Sequence, residues 1–367
     1  MIKELHKKVY VAVNDILIEV DWMMVKMNIK VVCMEKFVDD AVDFVNLHSE
    51  QLGFVLPVTR SVVERYFRPS SSYTLFSGNN IIGIFSYISG VEKTAPTGFL
   101  RFIVEKPDYI RDLLKFAVRK AIANEKLFIR TLIYGYEKEI ITFLKNLGFK
   151  VAAEIPDMVS YDGELYPMVI LYLDLRDRYK FNVARSYVSE ELYPLRKVDK
   201  AREYSFKVRG LKYEDLDVFE KVFNEPNVFR TMGRGIFEGL VYVNKQQIWE
   251  SLLKREFYTL TCIDEKKEVP VGFLSLDPYD QDVLKSVGGI GMFVDEKYHG
   301  LGVGSLLMEN ALLLGKRLHL RMLYLSVFDT NIAGIKLYKK FGFIEHGKFP
   351  GWLQNGYVNE IFMSRKL

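Results

Sequence analysis

The chain has 367 residues, which leaves room for two or three domains. Its 49% hydrophobic and 27% charged residues are a globular mixture, and a net charge of +4 is too small to argue for nucleic acid or an anionic membrane surface. Cys33 and Cys262 give no metal spacing and no disulfide framework, which points to buried thiols in a reducing compartment. No apolar run approaches the roughly 18 residues of a membrane helix. Asp15, Glu19 and Asp21 interrupt any leader-like core, so a cytoplasmic chain is expected.

Residues 1–26 come first. Val9–Val13 and Ile16–Val20 read as short strands around Asn14-Asp15, either a small hairpin or an extension. A first domain is expected over residues 27–175. It opens with a strand from Lys30 to Met34 and a helix from Phe37 through Val45. Later, Phe102-Ile103-Val104 leads through Glu105-Lys106-Pro107-Asp108-Tyr109 into another helix, and the domain closes on an alternating strand, Met168 to Leu173. Residues 176–204 mix charges of both signs with Tyr179, Tyr187 and Tyr193. They read as a linker lying across a surface; the mixed signs speak against a nucleic-acid role.

A second domain is expected over residues 205–367. Ser205–Val208 reads as a strand, Tyr213–Phe223 as a helix, and Asn244–Arg255 as another. Strands follow at Tyr258–Ile263, Val271–Leu276 and Ile290–Val294. After the last of these comes His299-Gly300-Leu301-Gly302-Val303-Gly304-Ser305. A helix begins at once, with Leu306, Leu307, Ala311, Leu314 and Leu318 on one face. A strand, a glycine turn and a helix start aim backbone N–H groups at one point, where the helix dipole also favours an anion. A P-loop would need a lysine after the glycines, and none follows. A Rossmann fingerprint would need glycine where Ser305 stands.

The stretch resembles the acyl-CoA pyrophosphate loop of the GNAT acyltransferases, with His299 in place of the usual arginine or glutamine. The alternating strand Leu323–Val327 is followed by Asp329, Asn331, a helix from Ile332 to Phe341 and Gly342-Phe343, an order that also resembles this family. The resemblance covers about residues 205–367. It implies that Met292, Phe293 and Val294 hold the pantetheine arm, that residues His299 through Ser305 hold the diphosphate, that Asn331 contacts the cofactor, and that Tyr338 stands beside the thioester sulfur. It further implies an α/β fold, a central mixed β-sheet flanked by helices, with acetyl-CoA as acyl donor, an amine as acceptor and no metal.

Displacing the sequence by 194 residues lays Gly148-Phe149 on Gly342-Phe343 and Pro156 on Pro350. This reads as an internal duplication, two tandem folds of the same GNAT-like kind. The first copy lacks the chemistry: Glu137 stands for Asn331, Leu144 for Tyr338, and Pro107, without an N–H, lies where the glycine turn would be. Acyl-CoA is therefore expected in the second copy alone.

Acyl transfer to an amine needs donors for the carbonyl oxygen, a proton for the departing thiolate and a neutral amine. A thiol titrates near pH 8.5 and tyrosine near 10, so Tyr338 is the candidate acid. Asp277, Asp329 and Glu360 are candidate bases near strand ends, with a solvated carboxylate as the plainer reading of each. Lys340 reads as a helix-end lysine within reach of a phosphate. The acceptor is expected against Phe229, Arg230, Met232, Arg234, Phe237, Trp352, Tyr357 and Glu360. The alternative to an enzyme is a non-catalytic acyl-CoA-binding regulatory module.

Overall fold

The computed structural model describes residues 9–13, 16–20, 29–55, 57–88, 97–124, 126–176, 204–223, 244–254, 258–350 and 358–367. Most of the expected linker, the acceptor residues between 229 and 237, Trp352 and Tyr357 lie outside them. Val9–Val13 (β1) and Ile16–Val20 (β2) pair antiparallel, with Val13 opposite Ile16, so the hairpin alternative is the one observed.

Residues 29–176 run β3 (Ile29–Cys33), α1 (Val38–Leu47), α2 (Arg60–Tyr66), β4 (Ser72–Ser77), β5 (Asn80–Ile88), β6 (Thr97–Val104), α3 (Ile110–Ala123), β7 (Phe128–Tyr134), α4 (Lys138–Asn146), β8 (Lys150–Tyr161) and β9 (Glu164–Asp174). From residue 204 the order recurs: β10 (Phe206–Gly210), α5 (Leu216–Phe223), α6 (Lys245–Lys254), β11 (Tyr258–Asp264), β12 (Val269–Pro278), β13 (Val287–Val294), α7 (Val303–Arg317), β14 (Met322–Phe328), α8 (Ile332–Lys340), β15 (Ile344–Pro350) and β16 (Asn359–Lys366).

Among the described residues, the strands β3 to β16 form one mixed α/β sheet in the order β10-β11-β12-β13-β14-β16-β15-β8-β9-β7-β6-β5-β4-β3. Read from either edge, the sequence of element types is the same. In each half the fourth and fifth strands run parallel and the others antiparallel. The halves join where Gly347 of β15 pairs with Ala153 of β8, two positions separated by the same 194-residue displacement. A Cβ on Gly347 would stand 2.2 Å from the carbonyl oxygen of Ala152, so the two strands approach this closely because that residue is glycine.

Apolar residues alternate along each strand and supply both faces of the sheet. In the second half, Leu274, Leu276, Leu323, Leu325, Ile361 and Met363 pack against α7 and α8, while Phe273 packs against Leu216, Phe219 and Ile248 of α5 and α6. The same division holds in the first half, with α3 and α4 on one core and α1 and α2 on another. A further core, including Phe128, Ile155 and Ile170 of the first half with Val287, Met322, Phe349 and Phe362 of the second, fills the seam. Arg321 donates there to the carbonyls of Asp157 and Met158, and Arg65 pairs with Asp280 at 2.6 Å. No described helix is long and apolar enough to cross a membrane.

The buried stripe of α7 is Val303, Leu307, Met308, Ala311 and Gly315, with Leu306, Leu314 and Leu318 only partly covered. The apolar face is thus rotated from the expected one, because the turn brings Val303 in first. Cys262 is buried as expected, but Cys33 is half-exposed near the sheet edge.

Candidate active site

The glycine turn is built from its flanks inward. Asp295 accepts a hydrogen bond from the N–H of Lys297 at 2.9 Å and starts a short 3-10 turn over Glu296–Tyr298. Tyr298 is buried, and its hydroxyl donates to the buried Asp264 at 3.1 Å, with Lys267 Nζ 3.2 Å from the same oxygen. That anchor holds the chain where Gly300 and Gly302 turn, at φ of 76° and 92°. A side chain there would cost roughly 1–2 kcal/mol per residue. Gly304 serves a different end: its Cβ would meet Leu337 at 3.0 Å, so it lets α7 lie against α8.

Gly302 is the N-cap of α7 and offers no side-chain cap. The N–H groups of the first helical turn have no intrahelical partners, and those of Gly302, Val303, Gly304 and Ser305 make no backbone bond outside the helix among the described residues. They converge with the helix dipole at one point, suited to a diphosphate. Lys340 Nζ lies 3.1 Å from Ser305 Oγ, which brings a cation from the end of α8 to this turn. The helix-end lysine is therefore part of the turn's surroundings, although exposed. His299 differs from expectation in the other direction. Its ring Nε2 lies 2.9 Å from the Val294 carbonyl, so the ring closes the loop back on its own strand rather than pointing at the anion site.

β13 supplies the second feature. It runs parallel to β14 only at Val287, Gly288 and Gly289, which face Met322, Leu323 and Tyr324. Beyond that point the two strands diverge, while β12 still pairs with β13 as far as Val294. Ile290 to Val294, although on an interior strand, are all half-exposed. Among the described residues, no strand pairs with this edge of β13 beyond Gly289, and the two strands part toward the glycine turn.

Residues 229–343 match the model of the acetyltransferase (GNAT) family. This part of the chain belongs to the GNAT acetyltransferases. The chain is similar to the L-amino acid N-acetyltransferase AaaT of Escherichia coli (strain K12), 33% identical over 109 residues, which cover 29% of this chain and 65% of that one. It is also similar to the spermine/spermidine N(1)-acetyltransferase of Bacillus subtilis (strain 168), 37% identical over 57 residues, covering 15% and 38%. The matches thus span less than two thirds of either relative. Among solved structures, a GNAT-family acetyltransferase from Streptococcus pneumoniae aligns with a TM-score of 0.39 and 19% identity, over 44% of this chain and 99% of that one. A phosphinothricin acetyltransferase from Sinorhizobium meliloti, solved in complex with AcCoA, gives a TM-score of 0.38 and 14% identity over 44% and 88%.

The other residues expected at the site are placed as follows. Asn331 caps α8, its Oδ1 accepting from the N–H of Gly334 at 2.9 Å. Tyr338 is buried in the α7/α8 core against Phe343, and burial pushes its hydroxyl up to about 12. Asp329 is tied to Asn359 at 2.7 Å across the start of β16. Asp277 lies on β12, half-buried beside the cleft.

Glu360 departs most from the sequence reading. A solvated carboxylate was the plainer expectation, and Glu360 is buried. It bonds Arg130 of the first half at 2.6 Å. Ile361 and Met363 point into the α7/α8 core, so Glu360 and Phe362 face the opposite side of the sheet. Arg130 went unnoticed in the sequence, although a single cation inside the apolar run Phe128-Ile129-Arg130-Thr131-Leu132-Ile133 is itself a signal.

The matching cleft of the first half is closed by its own chain. β6 and β7 also part after three parallel pairs, at Phe99 and Arg130. There the Gln51 side-chain amide bonds both the carbonyl and the N–H of Val104, at 2.9 and 3.0 Å. Tyr134 and Tyr136 donate to the carbonyls of Leu52 and Glu50 from the other side. The segment between α1 and α2 therefore bridges the two strands. Where the second half has its glycine turn, the first has a 3-10 turn, Pro107–Tyr109, with proline at its start.

A cavity of about 700 Å³ lies below the end of α8, lined in part by Lys340, His346, Arg365 and Lys366. It contains no residue of the glycine turn or of β13. Among the described residues, no three His, Cys, Asp or Glu side chains converge as a metal site.

Proposed function

We propose that the protein is an acyl-CoA-dependent N-acyltransferase, using acetyl-CoA and a primary amine of a small molecule or a peptide. Its working site is in the second half, and the first half is a copy of the same fold that has lost its own. The observation that carries this is the pairing of an uncapped helix start at Gly302 with the unpaired edge of β13. The first grips the diphosphate and the second holds the extended arm. Met292, Phe293 and Val294 line that arm. The residues from Gly300 to Ser305 form the grip, with Gly300, Gly302, Val303 and Gly304 acting through main-chain N–H groups, and Asn331 adds a side-chain contact.

In the reaction the amine nitrogen attacks the thioester carbonyl carbon, and the carbon–sulfur bond breaks. The proton lost by the amine passes to Glu360, directly or through water. The thiolate leaves with a conjugate acid near 8.5. Tyr338, pushed up to about 12 by burial, is too weak an acid to surrender its proton to that thiolate for long. Its role is to donate a hydrogen bond to the sulfur as charge develops. Without such a donor, kcat falls on the order of 10-fold, as expected for one hydrogen bond to a charged group.

The test is release of free thiol on mixing the protein with acetyl-CoA and a panel of diamines, amino acids and peptides. Turnover with at least one amine is expected. Gly302→Val is expected to weaken acetyl-CoA binding about 10-fold or more through strain and steric block. Binding without turnover across the panel favours the non-catalytic regulatory module. Tyr338→Phe with unchanged kcat removes that residue's role.

A further inference from the structure

We infer that Arg130, supplied by the first half, is a positioning residue for Glu360 in the second half's site. The first half thereby completes a reaction centre it does not itself contain. The inference rests on the acyltransferase reading above.

Glu360 sits on an interior strand, opposite Phe328 on one side and Phe349 on the other. A carboxylate in such apolar company has many rotamers open to it and few partners. Arg130 fixes it. The 2.6 Å contact joins two side chains that are only 14% and 10% exposed. The guanidinium is itself confined by aromatic rings: its carbon lies 5.5 Å from the Phe99 and Phe349 centroids and 4.9 Å from that of Phe362. Two of those rings belong to the second half and one to the first. The cation is thus held by stacking, and it holds the carboxylate by a charge-assisted bond.

The backbone places the pair at the cleft. Arg130 is the last residue of β7 paired to β6 before those strands part. Its counterpart 194 positions on is Tyr324, the last residue of β14 paired to β13. Arg130 and Glu360 both lie close enough to act on the Tyr324 hydroxyl electrostatically. Arg130 therefore reaches across the seam to the apex of the working cleft.

A merely structural ion pair would show in stability alone. The test compares the full-length wild type, Arg130→Gln, Arg130→Lys, Glu360→Gln and the double variant. Melting temperature, acetyl-CoA affinity by calorimetry, and kcat and KM for the best amine are read for each. We expect Arg130→Gln to lower kcat at least 10-fold while acetyl-CoA affinity stays within about 2-fold. Arg130→Lys should recover part of that loss, and the double variant should be no worse than Glu360→Gln. If Arg130→Gln is insoluble, Arg130→Lys is read in its place, with a smaller loss in kcat expected. Wild-type kcat in the variant read overturns the proposal, as do losses at the two positions that multiply. Wild-type protein inactive on every amine overturns the acyltransferase reading instead, a separate result.

Discussion

Glu137 and Asn331 occupy equivalent N-cap positions, at φ, ψ of −78°, 53° and −84°, 68°, yet only Asn331 caps its helix with its side chain. Burial, with Glu50 and Glu139 adding like charge, pushes Glu137 up to about 7. A carboxyl raised on folding from about 4.5 favours the native state fully below that value and loses its contribution as pH rises through 7. Glu137→Gln should therefore raise the melting temperature at pH 8 and leave it nearly unchanged at pH 4. An equal shift at both pH values would show that charge is not the cause. The sequence displacement alone placed Glu137 opposite Asn331; its neighbour Glu50 comes from a distant turn and could not be read from spacing. Arg130 and Glu360 illustrate the same limit. Arg130 stands as a lone charge in an apolar strand and Glu360 as a candidate base at a strand end, but 230 positions separate them, and nothing local said they meet.

Elements were legible where their signals are local. The glycine turn, Gly342 at the end of α8 and the alternating strand β14 all fall within a residue or two of expectation. The rotated face of α7 was misplaced because the helix period alone does not say where the turn delivers the first residue. The parting of β13 from β14 could not be read from composition, since it depends on which strands are neighbours. At the β8–β15 junction the decisive quantity is again a distance between remote atoms. A valine at position 347 would put Cβ 2.7 Å from the Ala153 Cα as well as onto the Ala152 carbonyl. Gly347→Val is expected to cost on the order of 3 kcal/mol, near the top of the overpacking range. Chemical denaturation measures it; a loss below about 0.5 kcal/mol would mean the junction relaxes freely.

The whole molecule depends on its seam. Phe349, Phe362, Met322 and Val287 share one core with Phe128, Ile155 and Ile170. Residues 204–367 produced alone would expose that surface, together with an unpartnered Glu360. Such a fragment is expected to aggregate or bind a hydrophobic dye, whereas the full chain stays monodisperse. A well-behaved, fully active fragment would refute this account of the first half.

The meeting of Ala153 with Gly347 carries one further consequence. When two identical subunits embrace across a dyad, any change in the gene appears on both sides of the axis at once. Here the two sides are written separately, so alanine can face glycine and arginine can stand where its counterpart is tyrosine. Under the function proposed above, fusion into one polypeptide lets one lobe serve as a dedicated wall for the other's site.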